Sequence, residues 1–131
     1  MSSGALGQAI FAFHLVVIAF NVLGLLAIPL GAALKWRWVR VRWWRTLHVA
    51  SWAAVALQAA LGRACFLTVW QVQLTGAGPA APLIARWVES VIYWPLPIWA
   101  FAAIYLALFA AVIALWFGVP PRLNASPAPR R

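Results

Sequence analysis

The chain has 131 residues, 66% of them hydrophobic and 8% charged, against about 25% charged in a soluble domain. That is too little polar side chain to cover a water-borne fold. Ten Lys and Arg against one acid, Glu89, give a net charge of +9, but the cations flank apolar runs instead of forming a basic face on a recognisable module, which argues against nucleic acid.

In lipid each backbone polar group must pair within its own segment, so the expected fold class is all-α: an integral membrane helical bundle in a single domain, residues 1–122. The first apolar run, residues 8–34, is long enough at 1.5 Å per residue to cross a hydrocarbon core of about 30 Å. Pro29 removes one ladder hydrogen bond near its end and offers a place to kink. The run lacks a basic leader and ends in a basic loop, so it reads as a span and not as a cleaved signal peptide.

That loop, KWRWVRVRWWR at 35–45, mixes five cations with Trp36, Trp38, Trp43 and Trp44. Indoles favour the headgroup layer and cations favour anionic lipid, so the segment should lie along the cytoplasmic interface. A second run, 44–66, spans again, and turn signals follow in TGAGPAAP at 75–82. In LIARWVESVIYW, 83–94, Arg86 and Glu89 share one face opposite an apolar one. This segment is too short to span and reads as a periplasmic interfacial helix. Pro95 and Pro97 end it, a third run spans at 98–119, and a Pro-rich tail at 123–131 is expected to be disordered. With both basic clusters inside, the expectation is three transmembrane helices in a bacterial inner membrane, the N-terminus periplasmic and the C-terminus cytoplasmic.

Polar groups at membrane depth usually face the bundle interior. On the first helix Gly7, His14, Asn21 and Gly24 share a face, and on the second His48, Ser51, Gln58, Gly62 and Cys65 do so. An Asn21–Gln58 bond between them is expected as helix glue. His14 and His48 raise bis-histidine haem, which needs both imidazoles at one depth. The spans place them about 20 Å apart along the membrane normal, so a single chain cannot hold haem between them, and ligation across two chains is the arrangement left open. The bland readings are an interfacial His48 and a buried, neutral His14 bonded to a neighbour.

The outer end gathers Arg63, Cys65, Thr68 and Gln71, with Glu89 on the interfacial helix. Together with His14 and Asn21 these form the candidate polar cluster. One carboxylate beside cations favours an Arg63–Glu89 ion pair acting as a latch, with Arg86 competing. There is no second carboxylate, no Ser/His/Asp set and no Cys/His zinc spacing, so neither a catalytic set nor a metal site is expected. On the third helix Ala103, Ala107, Ala110 and Ala114 form a small-residue face suited to close packing.

These residues resemble a bacterial family of short membrane proteins, domain of unknown function 2784. The pieces recur in order: His14, Leu47-His48, the run Cys65-Phe66-Leu67-Thr68 with Gln71, Arg86-Trp87, Pro95-Leu96-Pro97 and Val119-Pro120-Pro121-Arg122. Phe66 stands where the family pattern has proline, Gln71 where it has glutamate and Pro95 where it has aspartate. The resemblance implies a membrane protein and supplies no activity.

The leading expectation is a non-enzymatic accessory or scaffold subunit packed against a larger membrane complex. The alternative is a small-molecule site, for haem, a quinone or lipid, at the periplasmic leaflet around His14, Arg63, Cys65 and Glu89. The purified protein is expected to show no Soret absorption. A stoichiometric band that vanishes in His14→Ala or His48→Ala would install haem across two chains.

Overall fold

A computed structural model describes residues 3–76 and 97–122. Within them lie four α-helices, α1 (Ser3–Ala33), α2 (Arg42–Ala60), α3 (Phe66–Thr75) and α4 (Ile98–Gly118), with a 3₁₀ turn at Trp38–Arg40 before α2. The fold is all-α. The expected interfacial helix at 83–94, with Arg86 and Glu89, and the tail at 123–131 lie outside the described residues.

α1 has 31 residues and continues through Pro29. Its buried positions are Gly7, His14, Asn21, Gly24, Ile28 and Gly31. They recur at seven-residue spacing with partners three residues on, the seam of a left-handed helix pair. Off the seam the helix is almost wholly apolar, and Phe13, Val16, Leu23 and Leu26 among others are exposed. A helix that is hydrophobic all round while exposed on most of its surface has the character of a membrane span.

α2 returns antiparallel along α1 and buries Trp44, Arg45, His48, Trp52 and Ala56. A Cβ on Gly24 would lie 2.5 Å from the His48 ring, so only glycine lets the two helices close over the imidazole. The second run ends at Ala60 and not near residue 66, because Gly62 takes a left-handed φ of 64°. The Gly62 and Arg63 amides then turn back to the carbonyls of Ala59 and Gln58 at 3.0 and 2.9 Å, which satisfies the last orphan acceptors of the helix.

The chain restarts as α3 over a stretch that falls between the expected span, ending at 66, and the expected turn, starting at 75. Gln58 does not meet Asn21 as expected. Its Oε1 accepts the Phe66 amide at 2.7 Å and so caps α3. A proline at this first helical position has no amide hydrogen to give; Phe66 supplies one. α3 then packs against the N-terminal part of α1, with Thr75 against Gly7.

α4 packs along α2, turning Phe101 and Val112 inward. The expected small-residue face points away: Ala103, Ala107, Ala110 and Ala114 are all exposed. At the loop end of the bundle a core forms from Ile28, Val39, Trp44 and Val119. The Trp44 indole donates to the Trp38 carbonyl at 2.7 Å, and the Arg122 amide donates to the Arg40 carbonyl at 2.8 Å. The end of α4 therefore lies against the loop, and Arg122 shares that end with the loop cations.

Arg45 departs furthest from expectation. Read as an interfacial cation, it is 1% exposed. Its guanidinium donates to the Val39 carbonyl at 3.3 Å and the Leu115 carbonyl at 2.9 Å, and lies 5.8 Å from the Trp116 ring centroid. The last turn of a helix carries unsatisfied carbonyls and partial negative charge, and the loop folds beneath α1 to deliver a cation there. Hydrogen bonds from a charged group are worth about 1.5–3 kcal/mol each. Arg45→Leu should therefore lower stability in a detergent melt by about 2–3 kcal/mol, whereas exposed Arg37→Gln should stay within about 0.5 kcal/mol of the parent.

Candidate functional site

The polar seam of α1 leads from the well-bonded loop end to a cavity of about 220 Å³ at the opposite end. α1 supplies His14, Ile18 and Asn21, α2 supplies Trp52, Val55 and Gln58, and the turn between α2 and α3 supplies Arg63 and Cys65. Thr68 of α3 and Phe101 and Tyr105 of α4 complete much of the wall. Val22 and Ile98, also in the lining, are exposed, so the cavity reaches the surface among the described residues.

Asn21 sits at the junction between the two regions. Its Nδ2 donates to Ser51 Oγ at 2.8 Å, the bond that replaces the expected one to Gln58. Its backbone carbonyl accepts from His48 Nε2 at 3.0 Å; since a carbonyl only accepts, Nε2 must carry the proton. His48 is 0% exposed and meets Phe20 and Trp44 edge-on, at 5.6 and 6.2 Å between ring centroids. It is a packed, bonded histidine and not the interfacial one expected.

Four of the side chains that line the cavity each carry a buried atom with no hydrogen-bond partner among the described residues: His14 Nδ1, Asn21 Oδ1, Trp52 Nε1 and Thr68 Oγ1. Their residues are 7%, 5%, 3% and 5% exposed. A buried polar atom left unpaired costs about 1–3 kcal/mol, so four around one space is a concentrated debt. Arg45 Nε and His48 Nδ1 are also unpaired, but those side chains are anchored through their other nitrogens. The cavity set is chemically mixed. Asn21 Oδ1 only accepts, Trp52 Nε1 only donates, and the Thr68 hydroxyl and a neutral His14 can do either.

Of the expected cluster, His14, Asn21, Arg63, Cys65 and Thr68 border this cavity. Gln71 does not; it lies further along α3, where its carbonyl accepts from the Thr75 hydroxyl at 2.8 Å. Glu89 is outside the described residues, so the latch to Arg63 is too. His48 rests on Gly24, ten residues beyond His14 along α1, or about 15 Å at helical rise. The two imidazoles thus sit at different levels. Trp52 and Tyr105 were missed by sequence reasoning. Trp52 had a usable signal, because it follows His48 by four residues on the same helical face and falls mid-helix, away from the tryptophan-rich loop.

No group of three or more His, Cys, Asp or Glu that would hold a metal ion occurs among the described residues. The class defined so far is an all-α protein with two helices, Gly4–Ala33 and Ile98–Gly118, long and apolar enough to cross a membrane. Residues 4–121 match the model of the family described as Protein of Unknown function (DUF2784), and the chain belongs to that family. No curated protein and no solved structure matches the chain.

The unpaired atoms give a stability test. In ligand-free protein, Trp52→Phe and Thr68→Val remove polar atoms that bond to nothing and should leave the detergent melting temperature unchanged or raised. Ser51→Ala removes the partner of Asn21 and should cost about 1 kcal/mol. Comparable losses in all three variants would show that the cavity atoms are already satisfied.

Proposed function

We propose that this chain is a three-span protein of the bacterial inner membrane that takes a small amphiphilic molecule into the cavity from the periplasmic leaflet. The observation that carries the reading is the set of four buried, unpaired polar atoms around one cavity. Such groups normally have partners, and a bound molecule with oxygen functions would supply them.

Several features support the spanning arrangement. Only 17% and 11% of the apolar stretches of α1 and α4 are buried, unlike the core helices of a water-soluble fold. α2 is more polar but has 19 residues, about 28 Å of helix, and the two groups that would offend lipid most, Arg45 and His48, are 1% and 0% exposed. Arg122 lies at the same end as the loop cations, so the positive-inside rule puts that end in the cytoplasm and the cavity end outside. On this reading residues 1–122 belong to a single membrane domain.

The cavity also selects among occupants. An apolar cavity of about 150 Å³ holds a benzene ring, so about 220 Å³ suits a compact head with hydroxyl or carbonyl oxygens, as in a quinone or a lipid. The lining has His14 but not His48, which gives haem within one chain no second imidazole. No catalytic set accompanies the cavity, so the activity proposed is binding. The accessory-subunit reading has one observation in its favour, the exposed alanine face of α4, over which a partner helix would pack closely.

Cys65 is the single cysteine of the chain and borders the cavity, which makes it a built-in reporter. A membrane-permeant maleimide should alkylate it, and a short-chain benzoquinone or a lipid extract of the host membrane should slow the reaction severalfold. Ala102→Trp, which fills the cavity, should abolish that protection. Labelling indifferent to every added lipophile would return the function to the accessory-subunit reading. Topology is checked separately: a reporter active only in the periplasm should give signal when fused after Gly76 and none after Arg131.

A further inference from the structure

A second concavity lies on the outer surface of α1 and α2, at the loop end and away from the cavity. Phe20, Leu23 and Ala27 of α1 form one wall, and Trp38 and Trp43 are prominent in the other; its volume is about 490 Å³. Trp43 is 72% exposed and Trp38 51%, so these indoles stand off the bundle and do not fill its core. The groove is apolar and runs from the loop toward the middle of α1.

Cations adjoin the lining residues along the loop. Arg37 precedes Trp38, Arg42 precedes Trp43, and Lys35 and Arg40 belong to the same segment. The backbone bond from Arg122 to Arg40 brings a fifth cation to this end. Arg45 is not available, since it is buried and bonded to carbonyls. The chain has one acid, Glu89, and it lies outside the described residues. Among the described residues, therefore, none of these five cations has an acidic side chain to pair with. Burying apolar wall and neutralising the cations calls for an occupant that is hydrocarbon at one end and anionic at the other.

We propose that this groove is a binding site for an anionic phospholipid of the cytoplasmic leaflet. One acyl chain lies along Leu23 and Ala27 beneath Trp43, and the phosphate sits among Lys35, Arg37 and Arg42. The indoles place the site at headgroup level, where tryptophan is enriched, and basic pockets beside spanning helices on this face recognise such headgroups. An acidic protein segment would satisfy the cations, but it would leave the Phe20–Ala27 wall facing hydrocarbon with nothing to recognise. The site rests on the spanning reading and is independent of the periplasmic cavity.

The test uses the full chain reconstituted in bilayers of equal phosphatidylglycerol and phosphatidylcholine, then extracted in detergent with the retained lipid counted by native mass spectrometry. About one phosphatidylglycerol per chain is expected, enriched tenfold or more over phosphatidylcholine. Arg37→Gln and Arg42→Gln should each weaken retention about fivefold, the effect of one cation near an anionic surface. Ala27→Trp fills the groove without touching a charge and should weaken it similarly. Trp43→Ala removes an exposed wall and guards against a folding defect in the first variant. Equal retention of the two lipids would overturn the site. So would losses confined to the arginine variants, because attraction would then be diffuse and the groove empty. Failure to enter bilayers at all would overturn the spanning reading first, and this site with it.

Discussion

The arrangement of the bundle depends on one buried cation. Arg45 reaches from the first turn of α2 to the Val39 carbonyl in the loop and the Leu115 carbonyl in the last turn of α4, and so ties three parts of the chain at one point. A guanidinium is the group suited to this, because it offers five donors in a rigid plane and stays charged when desolvated. With Arg45 in place the loop folds beneath α1, Val39 is fully buried, and the chain beyond α4 is held beside Arg40. The antiparallel course of α2 against both long helices follows from that anchorage.

Away from this clamp, hydrogen bonding thins out along the seam. At the loop end Arg45, Trp44 and the His48 Nε2 all find carbonyls. Asn21 marks the boundary: its amide nitrogen and its backbone carbonyl are used, and its Oδ1 is not. Beyond it His14 Nδ1, Trp52 Nε1 and Thr68 Oγ1 stand in the cavity wall without partners. Arg45 Nε and His48 Nδ1, nearer the loop end, are unpaired as well, but those side chains are held through their other nitrogens.

The two concavities differ as well. The groove at the loop end is lined by apolar side chains, with the cations of the loop next to them in sequence. The cavity at the opposite end has polar side chains in its lining and one exposed cation, Arg63. Hydrocarbon alone would fill that cavity poorly, because each unpaired donor or acceptor would remain unpaid.

Composition and periodicity were enough to show an all-α chain with long apolar helices, and the seam carrying Gly7, His14, Asn21 and Gly24, since each of these rests on side-chain type at a fixed helical spacing; α1 itself starts at Ser3, five residues before the expected run. They also grouped five of the residues that border the cavity. What they missed depends on where the chain turns and what a side chain meets afterwards. Gly62 ends α2 early because a left-handed residue lets two amides fold back, and this frees Phe66 to start α3 with Gln58 as its cap. Arg45 looks the same in sequence as Arg37 or Arg42. Only the approach of the α4 carbonyls separates a buried clamp from a wet cation, and that approach joins residues 70 positions apart. Local pattern decides which groups lie on a helix face; which of them find partners is decided by the face brought opposite.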